Sequence, residues 1–268
     1  MSKRIAVLGL GKMGRILAES LLRSGASSRE LLSGTVHHSD KAAELAAKLE
    51  LNVGTDNQAA VRSADIVLLC VKPQNVADVL GQIKQDLGGK LVISIAASVP
   101  TAYIEERIHD GVAVIRAMPN MPAMVGRGVT AICGGRHAQA SDLSTAQELF
   151  GYVGEVVRVD EEQMNAVTGL SASGPAYVYI ILESLAEAGV KLGLPREVAT
   201  RLAIHTVLGA SQVALETGVH PALLKDAVTT PAGCTIDGVL ELEEGRFRVT
   251  LIRAVVKAAN RAKELWVR

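Results

Sequence analysis

Near its start the chain reads Ile5-Ala6-Val7-Leu8-Gly9-Leu10-Gly11-Lys12-Met13-Gly14. A short apolar strand leads directly into three glycines with the spacing G-x-G-x-x-G, and a helical pattern follows. In a dinucleotide-binding fold the first glycine permits a tight turn, the second lets a pyrophosphate approach the backbone, and the third lets helix and strand pack closely. The helix N-terminus then faces the phosphates. The stretch predicts a dinucleotide site formed by Gly9, Gly11, Lys12, Met13 and Gly14.

Beyond this fingerprint, short β-branched runs alternate with amphipathic helical patterns as far as about residue 160. Such alternation is typical of a parallel sheet with crossover helices, and near-continuous apolarity fits strands covered on both faces. The predicted strands are Ile5–Gly9, Leu31–Val36, Ile66–Cys70, Leu91–Ile95 and Val112–Arg116, with further extended pieces at Val129–Cys133 and Glu155–Val159.

After Asp160 the strand pattern disappears, and the remainder is predicted to be helical. Pro195 and Pro221 suit first-turn positions of helices, while Gly218 and Gly245 suit the residue after a helix end. The sequence therefore predicts an α/β protein with a Rossmann-type dinucleotide-binding domain over 1–160 and an all-helical domain over 161–268. The predicted helices of the second domain are Glu161–Val190, Pro195–Thr217, Pro221–Val228, Ile236–Glu243 and Arg246–Trp266.

The composition restricts the function classes. The chain has 268 residues, 49% hydrophobic content and equal numbers of acidic and basic residues, 28 each. We find no basic patch, no uninterrupted apolar segment long enough to span a bilayer and no signal peptide, so we expect a cytoplasmic enzyme without nucleic-acid or membrane partners. Cys70, Cys133 and Cys234 lack metal-ligand spacing, and we expect no metal and no disulfide framework.

The choice of dinucleotide depends on the end of the second predicted strand, which reads Gly34-Thr35-Val36-His37-His38-Ser39. An acid about 20 residues after the fingerprint would hold the ribose 2′-hydroxyl of NAD. This loop has no acid but offers hydroxyl and imidazole donors, which suit a 2′-phosphate. We therefore predict NADP, with NADPH preferred over NADH, although the two histidines could equally be solvated.

Three more loops follow predicted strands, where open α/β sheets bind ligands. The first contains Val71, Lys72 and Pro73, and the second contains Ile95, Ala96 and Ala97, whose small alanines permit close approach of a ring. In the third, Asn120 could hydrogen-bond a carboxamide or orient the next loop.

Two stretches resemble signatures of the pyrroline-5-carboxylate reductase family. They are Thr168-Gly169-Leu170-Ser171-Ala172-Ser173-Gly174-Pro175-Ala176-Tyr177 and Asp226-Ala227-Val228-Thr229-Thr230-Pro231-Ala232-Gly233-Cys234-Thr235-Ile236-Asp237-Gly238-Val239-Leu240-Glu241. With the fingerprint they appear in the family's order and cover nearly the whole chain. The resemblance implies that Thr35 and Asn57 contact the adenosine end of the cofactor, and that the loops around Lys72 and Ala96 line it.

The resemblance also implies the reaction: hydride transfer from NAD(P)H to the C=N bond of Δ1-pyrroline-5-carboxylate, which gives L-proline in the last step of proline biosynthesis. A protonated imine is already electrophilic, so hydroxyls and backbone N–H groups suffice to bind and orient it. By match to the motifs, Thr230, Gly233, Cys234 and Thr235 hold the carboxylate, and Thr235 also bonds the ring nitrogen. Ser171, Ser173 and Gly174 close the substrate site. We expect Thr235 and Ser173 to be the catalytic residues, although the serines could instead cap or pack helices.

The alternatives are a related NADP-dependent imine or hydroxyacid reductase and a non-catalytic nucleotide-sensing protein. Proteins similar to this chain form dimers through the helical domain and often assemble into rings, so we expect a homodimer and a higher ring-like oligomer. One departure from the family pattern is Ala232, where a glycine is usual. A positive φ at Ala232 would strain the loop.

Overall fold

The computed structural model describes residues 3–266. Its sheet has eight strands in the order β3-β2-β1-β4-β5-β6-β7-β8. Neighbouring strands run parallel except β6 and β7, which are antiparallel. The strands are β1 (Ile5–Leu8), β2 (Leu32–Thr35), β3 (Asn52–Gly54), β4 (Ile66–Leu69), β5 (Leu91–Ser94), β6 (Ala113–Met118), β7 (Gly128–Gly134) and β8 (Gly154–Arg158).

The central strands β1, β4 and β5 are buried on both faces because their alternate side chains enter two separate cores. In β1, Ile5 and Val7 belong to one apolar cluster, whereas Ala6 and Leu8 belong to the other. This arrangement confirms the doubly covered sheet expected from continuous apolar strands. The helices of this region are α1 (Lys12–Arg23), α2 (Ser39–Leu49), α3 (Asn57–Arg62), α4 (Val76–Ile83), α5 (Thr101–Glu105), α6 (Ala140–Gly151) and α7 (Met164–Val167).

The chain divides into two compact units. The first comprises Met1–Ala172 together with Ala258–Arg268, and the second comprises Ser173–Lys257. The domain limits 1–160 and 161–268 stay a prediction. The remaining helices are α8 (Gly174–Lys191), α9 (Arg196–Thr217), α10 (Pro221–Ala227), α11 (Cys234–Glu244) and α12 (Phe247–Trp266). The prediction of an N-terminal Rossmann-type fold followed by helices is confirmed.

Two predictions about the sheet are wrong in part. Strand β3 was not predicted, because its three residues offer only Val53 as an apolar signal. The sheet is also not wholly parallel: β7 runs against β6, with Ile115 opposite Gly134. Apolar periodicity does not encode strand direction, so the pattern could not distinguish the two cases.

The single helix predicted over Glu161–Val190 is also wrong. The segment begins with a 3₁₀ turn at Glu161–Gln163, continues through α7 and the π-helix Thr168–Ala172, and starts a new helix at Gly174. Pro175 lies in the first turn of that helix. Proline lacks a backbone N–H and is tolerated in a first turn, so it favours a fresh helix start here.

Helix termini in the second unit differ in detail from the sequence-based predictions. Pro221 lies in the first turn of α10 and Gly218 ends α9 with φ 62°, as predicted. Pro195 instead precedes α9 as its N-cap residue. Gly245 directly follows the end of α11, as predicted, although its φ is −68° and the left-handed residue is Arg246 with φ 55°.

The expectation of no membrane partner stays a prediction, because helix α9 passes a test of length and composition for a membrane span. The helix has 22 residues, and a window of 18 of them has a mean hydropathy of 1.2. Of the residues in that window, 11% are buried. Length and composition alone would therefore allow it to cross a bilayer. An apolar helix that packs against protein passes the same test.

Candidate active site

The fingerprint forms the predicted turn at the carboxyl end of β1. Gly9 has φ 95°, a conformation that side chains disfavour, and its N–H donates to the carbonyl of Thr35 at 3.1 Å. The N–H of Leu10 donates to the same carbonyl at 2.8 Å. A Cβ placed on Gly14 would collide with the carbonyl oxygen of Gly9, so helix and strand can pack this closely only with glycine.

The start of α1 is suited to an anion. Gly11 is its N-cap residue, makes no side-chain capping bond, and has open space where a Cβ would lie. Lys12 and Met13 form the first turn, which contains no acidic residue. The first backbone N–H groups of a helix lack partners within the helix and carry its positive dipole end. These residues therefore fit the pyrophosphate of a dinucleotide.

Thr35 and Asn57, predicted at the adenosine end, lie in direct contact. The Thr35 hydroxyl donates to Asn57 Oδ1 at 2.7 Å, and Asn57 Nδ2 donates to Gln82 Oε1 at 2.8 Å. Thr35 ends β2 and is buried, while Asn57 is the first residue of α3. Sequence reasoning missed Gln82, because an isolated glutamine on α4 carries no local signal.

The loop after β2 exposes two imidazoles. His37 and His38 have ring centroids 4.7 Å apart in an edge-to-face arrangement, and His38 is the N-cap residue of α2. The first carboxylate after β2 is Asp40, already within α2. The loop therefore presents donors and no carboxylate of its own.

The loops after β4 and β5 begin at the same edge of the sheet. Because β1 lies between β2 and β4, the strand order reverses there, and this reversal is where doubly wound sheets bind ligands. Val71 reaches Gly9, since a Cβ on that glycine would lie 2.9 Å from Val71 Cγ1. Lys72 and Pro73 are exposed and begin a 3₁₀ turn. In the β5 loop, Ala96 is buried, whereas Ile95 and Ala97 are half-buried.

Asn120 connects the loop after β6 to the π-helix. Its Oδ1 accepts from the backbone N–H of Val129 at 2.9 Å, while Nδ2 lies 3.3 Å from the carbonyl oxygen and 3.5 Å from the hydroxyl of Ser171. Asn120 is 8% exposed. Single-turn π-helices occur frequently at functional sites. The structure thus brings together two predicted site residues that are 51 positions apart.

In the second unit, residues 229–235 include three threonines, and we call this segment the hydroxyl loop. It runs into the first turn of α11. Gly233 is the N-cap residue without a side-chain capping bond, and Cys234 and Thr235 form the first turn. A Cβ on Gly233 would collide with the Thr230 hydroxyl, which shows how tightly the loop folds. The Thr229 hydroxyl donates to the carbonyl of Lys225 at 2.8 Å and so closes α10. Ala232 has φ 57°, so the predicted strain is present.

The other predicted substrate residues begin α8. Ser173 is its N-cap residue, without a side-chain capping bond, and Gly174 is the first helical residue. The Ser173 hydroxyl is therefore not used for capping, which was one alternative explanation of this serine, the other being helix packing. Ser173, Gly174, Thr230, Gly233, Cys234 and Thr235 all belong to the second unit, whereas Ser171 belongs to the first.

The thiols differ between the two units. Burial raises the pKa of Cys70 to about 12 and, together with the Glu161 carboxylate, that of Cys133 to about 12. Both thiols stay protonated at neutral pH and are poor nucleophiles. Cys234 is exposed in the hydroxyl loop. Residues 3–266 contain no group of three or more side chains placed to hold a metal ion.

Sequence reasoning missed a charged cluster that joins Arg116 of β6 to Glu161 and Thr101. Arg116 is 3% exposed and forms an ion pair with Glu161 at 3.2 Å. Glu161 also accepts hydrogen bonds from Thr101. An arginine at the end of an otherwise apolar strand was the available signal, because a buried guanidinium requires a partner.

The Rossmann-type unit keeps the glycine turn after β1, and the helices that follow carry the hydroxyl loop. These features are typical of the class of nicotinamide-dependent oxidoreductases. A family model described as NADP oxidoreductase, coenzyme F420-dependent, matches residues 4–98, and one described as pyrroline-5-carboxylate reductase dimerisation matches residues 161–265.

Whole-chain relatives identify the family. The pyrroline-5-carboxylate reductase of Methanosarcina acetivorans is 43% identical, with 98% of each chain covered. The crystal structure of the Plasmodium falciparum pyrroline carboxylate reductase with NADP bound has a TM-score of 0.91 at 30% identity, covering 99% of this chain and 98% of that one. The structure of the Coxiella burnetii enzyme has a TM-score of 0.90 at 35% identity, covering 99% of both. The chain belongs to the pyrroline-5-carboxylate reductase family and is an oxidoreductase.

Proposed function

We propose that this chain reduces the C=N bond of Δ1-pyrroline-5-carboxylate to give L-proline, the last step of proline biosynthesis. The observation that carries the proposal is the N-terminus of α11, where Cys234 and Thr235 offer backbone N–H groups and a hydroxyl in a family of this activity. The N–H of Gly233 donates to the Thr230 carbonyl at 3.0 Å and closes the turn before the helix. A carboxylate suits such a helix start because it satisfies the N–H groups and the helix dipole.

The substrate carboxylate would accept from the backbone N–H groups at Cys234 and Thr235 and from the Thr230 hydroxyl. Gly233 would leave room beside that hydroxyl, where a Cβ would collide. Thr235 Oγ1 would also hydrogen-bond the ring nitrogen and so fix the orientation of the imine. Ser173 would contribute a second hydroxyl, because its side chain is not used for capping α8. Ser171 and Gly174 are also proposed as substrate-binding residues, and the carbonyl of Ser171 accepts from the Asn120 amide at 3.3 Å.

These residues need only bind, orient and exclude water, because the protonated imine accepts a hydride without a protein base. The nicotinamide supplies that hydride when it is bound. The residues proposed to hold this cofactor are Gly9, Gly11, Lys12, Met13, Gly14, Thr35, Asn57, Val71, Lys72, Pro73, Ile95, Ala96, Ala97 and Asn120.

NADPH is proposed as the preferred cofactor over NADH. The loop after β2 presents the exposed imidazoles of His37 and His38 and no carboxylate before Asp40. A 2′-phosphate there would meet donors and escape repulsion by a like charge. The Thr35–Asn57 pair would hold the adenosine ribose, with Gln82 orienting the Asn57 amide.

We also propose that the chain forms a homodimer through its helical unit, assembled further into a ring. Exposed leucines along α9, such as Leu202, Leu208 and Leu215, leave an apolar surface that a second copy would cover. This proposal explains the apolar composition of α9 without a membrane. A cytoplasmic location without nucleic-acid partners fits a neutral biosynthetic enzyme.

The direct test follows NADPH oxidation spectrophotometrically with pyrroline-5-carboxylate, with NADH in parallel and with NADPH affinity measured separately. We expect turnover with both cofactors and a higher kcat/KM with NADPH. Tight NADPH binding without turnover would overturn the proline assignment and favour another cyclic imine or a nucleotide sensor. A higher kcat/KM with NADH would overturn only the cofactor preference.

A further inference from the structure

Glu161 makes three contacts inside the first unit with residues far away in sequence. One carboxylate oxygen, Oε1, accepts from the backbone N–H of Thr101 at 2.8 Å and from Arg116 Nη1 at 3.2 Å. The other, Oε2, accepts from the Thr101 hydroxyl at 2.6 Å. One side chain therefore ties the 3₁₀ turn at Glu161–Gln163 to β6 and to the start of α5.

At Thr101 the Glu161 carboxylate replaces a missing helix cap. Helix α5 begins at Thr101, and its N-cap residue Pro100 makes no side-chain capping bond. A carboxylate that accepts the first backbone N–H of a helix satisfies an unpaired donor and the positive end of the helix dipole. The acceptor comes from 60 residues further along the chain, so the position of α5 depends on Glu161.

At Arg116 the same carboxylate balances a buried charge. The Arg116 side chain is 4% exposed, and within residues 3–266 its Nε and Nη2 are buried without a hydrogen-bond partner. A buried guanidinium that loses its counter-ion is strongly unfavourable. The pairing therefore holds Glu161 firmly in the position from which it binds Thr101.

The loop held in this way is Ile95–Pro100. At its start the N–H of Ile95 donates to the carbonyl of Leu69 at 3.0 Å, and at its end Thr101 is bound by Glu161. Between these anchors Ser98 has φ 65° although it is not glycine, and its hydroxyl is buried without a partner within the described residues. Strained residues persist only where the surrounding contacts determine their conformation.

We propose that Glu161 is a positioning residue of the reductase, which acts through Thr101 to hold Ala96 and Ala97 against the nicotinamide half of the cofactor. The inference rests on the proposed function for the role of this loop. It requires no contact of Glu161 with substrate or cofactor. Its consequence is that loss of Glu161 disturbs the nicotinamide end and leaves the adenosine end at Thr35 and Asn57 intact.

The test compares Glu161→Ala with Glu162→Ala, a matched change at the exposed neighbouring glutamate. Two ligands separate the ends of the cofactor: NADPH, and adenosine 2′,5′-bisphosphate, which lacks the nicotinamide. Their affinities are measured by calorimetry, the environment of the ring by the fluorescence of bound NADPH, and folding by thermal melts. Steady-state kinetics with pyrroline-5-carboxylate complete the set.

For Glu161→Ala we expect a lower melting temperature, because Arg116 stays buried without its counter-ion. We expect adenosine bisphosphate affinity within about twofold of the wild type and a changed fluorescence of bound NADPH, because the lost contacts lie at α5 and β6 and not at Thr35 and Asn57. We expect kcat to fall about 10- to 100-fold, since small misplacements of reacting groups cost this much. Glu162→Ala should match the wild type. Glu161→Gln should recover part of kcat, because its carbonyl can still accept from the Thr101 N–H.

Two results would overturn the inference: adenosine bisphosphate and NADPH affinities that fall together, or a Glu161→Ala variant that behaves like the wild type. If Glu161→Ala does not fold, Thr101→Val replaces it and removes only the 2.6 Å contact. That variant should change the NADPH fluorescence while Thr101→Ser does not, and unchanged fluorescence would equally overturn the inference. The binding measurements need no substrate and therefore decide the role of Glu161 by themselves. If the wild type does not turn over pyrroline-5-carboxylate, only the proposed reaction is overturned.

Discussion

The two units of this chain differ in how completely they bury their apolar side chains. In the first, the strands place Leu8, Leu68 and Val92 at 0% exposure, between two continuous cores. In the second, among its described residues, only Ala186, Ala199 and Ala203 are buried apolar side chains. Leucines such as Leu192 and Leu215 are 85% and 75% exposed. The first unit thus completes its own core, whereas the second leaves apolar surface for another chain to cover.

Hydrogen bonds between residues distant in sequence occur among the predicted cofactor residues of the first unit. Thr35, Asn57 and Gln82 are bonded to one another, and Asn120 is bonded to Ser171. Helix starts without a side-chain cap occur in both units, at α1 in the first and at α8 and α11 in the second. The two units therefore differ in their apolar burial and not in the capping of their helices.

The largest expected effect comes from placing a charge on the apolar face of α9. Leu208→Glu puts a carboxylate where Leu208 is 58% exposed in the single chain. If a second copy covers this face, burying the charge costs several kcal/mol, which weakens association by about 100-fold or more. Light scattering should then show monomers.

The matched control for this change is Val157→Glu in β8, because Val157 is an exposed apolar residue of the first unit, at 39%. It should leave the molar mass and the activity unchanged. A Leu208→Glu variant with wild-type mass and activity would show that α9 does not form the interface.

The next largest effects are expected at Gly11 and Gly14, where an added methyl group should lower cofactor affinity in one case and stability in the other. A Cβ at Gly11 has open space in the protein but occupies the region where a pyrophosphate approaches, so Gly11→Ala should keep its melting temperature and lose about 10- to 100-fold in NADPH affinity. At Gly14 the Cβ collides with the Gly9 carbonyl, so Gly14→Ala should itself be destabilised, by about 1–3 kcal/mol.

Calorimetric titration and thermal melts of both variants check this prediction. An unchanged NADPH affinity in Gly11→Ala would mean that the phosphates do not approach the backbone there. An undisturbed melting temperature in Gly14→Ala would contradict the close packing of α1 on β1.

The smallest expected effect concerns the strained residue of the hydroxyl loop. Ala232 has φ 57°, where glycine is more favourable, so Ala232→Gly should raise the free energy of unfolding, by up to about 1 kcal/mol after the entropy cost of glycine is subtracted. The matched change Ala43→Gly, at an exposed position in the interior of α2, should lower it by about 0.5–1 kcal/mol. Denaturant unfolding measures both, and a destabilised Ala232→Gly would show that the strain is not released by glycine.

Local patterns predicted the parts of the molecule that depend on neighbours in sequence. The strand-turn-helix of Ile5–Gly14 forms as expected, because glycine geometry and apolar runs act over a few residues. The conditional strain at Ala232 is confirmed for the same reason. The direction of β7 and the contact of Asn120 with Ser171 could not be predicted, because both depend on residues far apart in the chain.

The helical region shows the same limit more clearly. Apolar periodicity predicted one helix over Glu161–Val190, yet Glu161 is held by Thr101 and Arg116, and a π-helix interrupts the segment. A periodic pattern reports which face is apolar and contains no information about a carboxylate that binds a distant strand. Domain limits at 160 and 161 and the roles of individual site residues stay predictions.

The central claim is that the hydroxyl loop before α11 binds the imine substrate for hydride transfer. Its most direct test compares Thr235→Ala with Thr235→Ser in NADPH oxidation with pyrroline-5-carboxylate, alongside NADPH affinity. A hydrogen bond to a charged group contributes about 1.5–3 kcal/mol, so Thr235→Ala should lose about 10- to 100-fold in kcat/KM, with NADPH affinity unchanged. Thr235→Ser should recover most of the loss. Wild-type turnover in Thr235→Ala would contradict the account.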